Sequence, residues 1–119
     1  MQNYRDLVVW KRAHALTLAL YGATRPFPPD ERFGLTSQIR RAASSIGANL
    51  AEGCGRYGRA EFGRFAQIAL GSACELDYHL LLARDLRYLD DEPHREIERD
   101  LAEIRRMLVG LIQKLAPGV

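Results

Sequence analysis

The chain is poor in the residues that most often announce a chemistry. It holds two cysteines, Cys54 and Cys74, in 119 residues. They form no CxxC pair, so free thiols in a reducing compartment are expected rather than a disulfide. The three histidines, His14, His79 and His94, lie on separate segments, and no Glu-x-x-His motif occurs. A metal centre is therefore not expected, and neither is a cofactor. Ser44, Ser45 and Ser72 have no His and Asp partners at a recognisable spacing. The glycine-rich stretch Gly53-Cys-Gly-Arg-Tyr-Gly58 contains no Gly-Lys-Ser/Thr and follows no strand, so it does not read as a phosphate loop. No catalytic residue stands out, and a non-enzymatic protein is expected. No apolar run approaches the roughly 20 residues that cross a bilayer. Met1-Gln-Asn-Tyr-Arg-Asp6 lacks a basic stretch followed by an apolar one, so no signal peptide and a cytoplasmic location are expected. Sustained period-2 alternation is missing too, which argues against strands.

What is present is helical periodicity in four segments. The first runs from about Tyr4 to Thr24, with Val9, Ala13, Leu16 and Leu20 on one face, and Pro26, Pro28 and Pro29 end it. The second runs from about Leu35 to Glu52, and the glycines from Gly53 break it. The third is long, about Arg59 to Leu89, with Phe62, Phe65, Ala66, Ala69, Ala73, Leu76, Leu80 and Ala83 in its stripe. The fourth is capped near Asp91 or Glu92 with Pro93 in its first turn, and carries Ile97, Leu101, Ile104, Leu108, Leu111 and Leu115 in a bundle-seam rhythm. Short connections between four helices predict an all-α, antiparallel up-down-up-down four-helix bundle forming a single domain over residues 1–119.

The second helix departs from the soluble pattern. Ile39, Ala42, Ala43, Ile46, Leu50 and Gly53 make its core stripe, but the side that should be charged is mostly Ser44, Gly47, Ala48 and Ala51. Small residues there allow another helix to come close. Extra apolar surface also appears on the first helix (Trp10, Tyr21) and on the back of the third (Gly71, Tyr78). Only the fourth helix has one stripe and a charged remainder. Trp10, Tyr21, Ser44, Gly47, Ala51, Gly71 and Tyr78 are thus candidate residues of a homo-oligomer interface. Asn49, Glu52 and Glu75 are candidate structural polar residues, since a polar group on a core flank needs a partner.

The net charge is +2, unevenly spread. Residues 1–64 hold ten Lys or Arg against five Asp or Glu; residues 65–119 hold seven against ten. Arg56, Arg59 and Arg64 bracket the break after the second helix, with Tyr57 among them. Together with Arg40 and Arg41 they are candidate contacts to RNA or DNA phosphates. For Arg40 and Arg41 the competing reading is structural, an ion pair with Glu52 or Glu75 within or between subunits. Arg56, Arg59 and Arg64 read as an exposed patch with little to neutralise it.

These residues also carry a resemblance. Asp6-Leu-Val-Val-Trp10, Tyr21 with Phe27-Pro28 and Phe33-Gly34-Leu35, Gln38-Ile-Arg-Arg-Ala42 through Ser45-Ile46, Asn49-Leu-Ala-Glu-Gly53 with Gly55-Arg56, and Gly71-Ser72 with Glu75-Leu76 fall in order. The pattern resembles the four-helix-bundle family first recognised as reading frames in intervening sequences of bacterial 23S ribosomal RNA genes. The resemblance covers about residues 5–90 and matches the fourth helix only as an amphipathic segment. It implies a homopentameric, barrel-like assembly and no attached enzymatic activity. The family is similar to the accessory protein of diversity-generating retroelements, which binds nucleic acid and a reverse transcriptase through a basic surface. A nucleic-acid-associated accessory protein and an oligomeric protein-interaction scaffold both follow as expectations. No membrane partner is expected.

Overall fold

In the computed structural model, which describes residues 3–117, four α-helices follow a short 3-10 turn. They are α1 (Val8–Ala23), α2 (Leu35–Cys54), α3 (Arg59–Asp85) and α4 (Asp91–Leu115). No strand occurs among the described residues. Each helix packs against the next, and α4 returns to α1, so the four form an antiparallel up-down-up-down bundle. It measures 47 × 22 × 19 Å.

The expected stripes form the core through their central residues, while Phe62, Ile97, Leu111 and Leu115, toward the helix ends, are only partly buried. Val9, Ala13, Leu16 and Leu20 from α1 and all six α2 stripe residues are buried. Phe65, Ala66, Ala69, Ala73, Leu76, Leu80 and Ala83 from α3 join Leu101, Ile104 and Leu108 from α4. The α2–α3 contact is the most extensive in the bundle and is rich in alanine. Gly53 belongs to it, because a Cβ there would lie 2.9 Å from Phe65 Cβ.

Helix α2 runs through the buried Gly53 to Cys54 and is ended by Gly55, two residues beyond the sequence reading. Three other boundaries differ, each for a local reason. The first helical segment is broken at Leu7, whose extended backbone separates the 3-10 turn Tyr4–Asp6 from α1. The third stops at Asp85 rather than Leu89. Arg87 turns left-handed (φ 65°), and the Arg87 and Tyr88 N–H groups donate back to the Arg84 and Ala83 carbonyls at 2.9 Å. That is a Schellman ending with arginine where glycine is usual. The cap of α4 is Asp90, ahead of the expected residues, and its side chain makes no capping bond.

Helix α2 starts on borrowed atoms. Its N-cap is Gly34, and the Glu31 carboxylate accepts from the Leu35 N–H at 3.0 Å. A Cβ on Gly34 would fall 2.6 Å from that carboxylate, so any larger residue would push the Glu31 side chain off the helix start. The second Glu31 oxygen accepts from the Tyr88 hydroxyl at 3.1 Å, tying the start of α2 to the end of α3. His94 is also buried at α4's first turns, with neither ring nitrogen hydrogen-bonded.

Candidate oligomer face and basic turn

The outward side of α2 is low. Ser44 and Ala48 are exposed and form a shallow ridge, with a cleft on either side that both residues line. The cleft toward α1 has a volume of about 330 Å³ and is walled by Trp10, Thr17 and Tyr21. The cleft toward α3 is about 350 Å³ and is walled by Gln38, Arg41, Ser72 and Glu75. Exposed apolar side chains flank this double groove: Leu18 (61% exposed) and Tyr21 on α1, and Tyr78 (59%) on α3. A Cβ on Gly71 would meet nothing within 4 Å, so its outer surface is open.

Gly47 and Trp10 pack on each other within the chain. Gly47 is small because Trp10 of the same chain lies over it; a Cβ would sit 3.2 Å from Trp10 Nε1. Trp10 in turn stacks on His14 (centroids 4.8 Å apart) and meets Tyr4 edge-on. Within the subunit, this pair therefore joins α1 to α2. Ala51 is half-buried beside them. Asn49 is only partly buried, but it has partners. Its Nδ2 donates to the Ser45 carbonyl (2.8 Å) and hydroxyl (2.9 Å), and the Ser45 and Ser72 hydroxyls are hydrogen-bonded at 2.9 Å across α2 and α3.

The arginines divide differently from the sequence reading. Neither Arg40 nor Arg41 pairs with Glu52 or Glu75 within the subunit. Arg40 donates to the Thr24 hydroxyl (2.9 Å) and the Tyr21 carbonyl (3.2 Å), with its guanidinium over the Tyr21 ring. It thereby caps the end of α1 from α2, at a position where cations suit the helix dipole. Arg41 is exposed on the wall of the α2–α3 cleft. Glu75 accepts from His79 instead, at 3.1 Å when the ring nitrogen carries the proton.

At the turn, the expected absence of neutralising groups is overturned. Arg56 pairs with Glu52 at 2.8 Å and Arg64 with Glu61 at 3.1 Å. Both guanidiniums also lie over the Phe65 ring. The Arg64 hydrogen bond holds the Glu61 carboxyl below its ordinary range and Arg64 above its own. These pairs are one turn apart on exposed helix surface, so each contributes little and can be exchanged for another anion. Arg59 donates to the Lys114 carbonyl at the end of α4. Beside it opens a cleft of about 530 Å³, lined by Arg56, Arg59, Phe62 and Leu115. Cys54 forms part of its floor, and burial raises the thiol pKa. No side chain caps α3 at Gly58.

The fold adds residues that the local reading missed. Alternating helix directions bring residues 3–7, 52–64 and 113–117 to one end of the bundle. Arg5 and Lys114 therefore join Arg56, Arg59 and Arg64 there, five cations against Asp6, Glu52 and Glu61. The opposite end, residues 23–34 and 84–93, has Arg25, Arg32, Arg84 and Arg87 against six carboxylates. The bundle is thus polar along its axis, basic at one end and acidic at the other. Helix parity would have placed Arg5 and Lys114; the turn alone could not. Among the described residues, no group of three or more His, Cys, Asp or Glu could hold a metal ion, and no helix is long and apolar enough to cross a membrane.

An all-α four-helix bundle with a small-residue outer face is the class this geometry defines. Residues 5–110 match the 23S rRNA-intervening sequence protein family, and the chain belongs to it. A crystal structure of a protein with unknown function from the S23 ribosomal protein family, from Bacteroides thetaiotaomicron, is similar with a TM-score of 0.82. The two share 29% identity, over 89% of this chain and 96% of that one. No curated protein matches the sequence.

Proposed function

We propose that the protein works as a non-enzymatic homo-oligomer, a pentamer on the family resemblance, joined through the outer faces of α1, α2 and α3. Its basic ends would contact RNA or DNA phosphates without sequence specificity, as an accessory to a nucleic-acid enzyme such as a reverse transcriptase. The observation that carries the assembly is the double groove beside Ser44 and Ala48, flanked by exposed Leu18, Tyr21 and Tyr78. The exposed apolar side chains and the apolar α1-side cleft favour a partner over water, and the polar wall of the α3-side cleft can supply hydrogen bonds to it. Assembly also gives the weak net charge of one basic end a use. Identical ends in a ring add their contacts by avidity, where a lone bundle would bind poorly.

Sedimentation equilibrium tests the assembly. Ala48→Arg fills the ridge at an exposed position without entering the core, and it should dissociate the oligomer. A parent that sediments only as a 13.4 kDa species at micromolar concentration sinks the proposal. Salt titration of binding to RNA and DNA tests the second half. Affinity should fall steeply with ionic strength, and Arg56→Gln, Arg59→Gln and Arg64→Gln together should flatten that slope. The Arg56–Glu52 and Arg64–Glu61 pairs favour a competing reading, an oligomeric protein-interaction scaffold that binds no nucleic acid. A parent that binds neither polymer at low salt decides for the scaffold.

A further inference from the structure

The basic end has two features that phosphate binding alone does not use. Tyr57, at the tip of the α2–α3 turn, is 90% exposed, and its ring lies between Arg56 and Arg59 in sequence. Gly58, at φ 86°, lets the chain reverse there. Below the turn, the cleft of about 530 Å³ has a mixed lining, with Phe62 and Leu115 as apolar wall and Arg56 and Arg59 at the rim. A duplex offers this site its backbone and groove edges but no open base face, because stacking covers the faces of its bases. A single strand offers unstacked bases as well.

The geometry points to a single-stranded segment of RNA or DNA as the partner of this end. One unpaired base enters the cleft against Phe62 and Leu115, a neighbour stacks on Tyr57, and Arg56 and Arg59 take the adjoining phosphates. The inference rests on the phosphate-binding reading above and narrows it. Stacking on an aromatic ring is sequence-tolerant, since every base has a π-face, so the narrowing is toward strandedness and not toward sequence. The cleft lies in the size range of small-ligand sites and is large enough for one nucleobase. Exposed ion pairs to Glu52 and Glu61 leave Arg56 and Arg64 free to exchange carboxylate for phosphate.

Fluorescence anisotropy of the full-length protein with a labelled oligothymidylate, an oligouridylate and a duplex of equal length tests the inference at low salt. The single strands should bind about tenfold tighter than the duplex. Tyr57→Ala should weaken single-strand binding about fivefold or more and leave duplex binding unchanged, and Tyr57→Trp should retain the parent affinity. Tyr57 is 90% exposed, so circular dichroism should show both variants folded. Equal binding of single strand and duplex, or a Tyr57→Ala variant indistinguishable from the parent, overturns the single-strand site while leaving phosphate binding in place. Binding of neither polymer overturns both.

Discussion

Helix α4 turns Glu98, Arg99, Asp100 and Arg106 to solvent, while the middle of α2, between the exposed Arg41 and Glu52, turns only Ser44 and Ala48. Both bury a regular apolar stripe against the same core. The glycines sharpen the contrast. On α2, Gly47 and Gly53 are confined by Trp10, Phe62 and Phe65, whereas a Cβ on Gly110 of α4 would meet nothing within 4 Å. A helix that needs only to be wet outside can be built from long charged side chains. A helix approached closely on several sides is built from small ones, and its sequence then looks too plain for its surface.

The largest effect should come from the shared core. Leu108 is fully buried, so Leu108→Ala should lower unfolding free energy by about 2–5 kcal/mol. Arg106→Ala, on the wet side of the same helix, should cost less than about 0.5 kcal/mol. Urea denaturation giving similar losses would mean that α4 does not have the two unlike faces described. Next is Gly53→Ala, which forces a methyl against Phe65 and should cost about 1–3 kcal/mol in the same assay. A neutral result would remove the claim that α2 is small out of necessity.

Gly110→Ala runs the other way and should stabilise by about 0.5–1 kcal/mol, because alanine suits an open helical site better than glycine. Gly71→Ala, equally open on α3, should bring the same gain to an isolated subunit. If it instead weakens sedimentation-detected assembly, the outer face of α3 is packed in the oligomer.

The smallest effect separates the two helix starts. The hydrogen bond from the Tyr88 hydroxyl to the Glu31 carboxylate raises the phenol pKa, as does burial. Tyr88 therefore holds its proton more tightly folded than unfolded. Its contribution is fully present below the unfolded value of about 10 and is lost as pH rises through the folded one. Tyr88→Phe should abolish that alkaline loss in urea midpoints measured across the range, leaving the acid side unchanged. An identical pH profile would show that the bond does not anchor α2.

The core was legible because it is periodic. The stripes of α2 and α4 need only a 3.6-residue repeat, and Leu101, Ile104 and Leu108 lie where that repeat puts them. What escaped was set by contacts distant in sequence. The Glu31 cap depends on Tyr88, and the docking of Arg40 depends on Thr24. Leu7 ends one helical turn and starts another with no breaker to announce it. The Arg56–Glu52 and Arg64–Glu61 pairs are a different kind of miss. Their i,i+4 and i,i+3 spacings are visible in the sequence, and the clustering of positive charge drew the reading past them.

The hydroxyl pair of Ser45 and Ser72 bears on how α2 and α3 find their axial alignment. The alanines of this seam (Ala42, Ala43, Ala66, Ala69 and Ala73) offer no large knobs and discriminate poorly between neighbouring registers, so the larger Ile46, Leu50, Leu76 and Leu80 must carry the apolar part of that choice. A hydrogen bond between two short hydroxyl side chains, one donating and one accepting, does not tolerate such a shift, since a slip of one turn, about 5.4 Å, breaks it outright. With Asn49 holding the Ser45 hydroxyl from the next turn, the pair acts as a vernier mark beside that coarser apolar scale, and its consequence is alignment of the two helices more than the modest stability it adds.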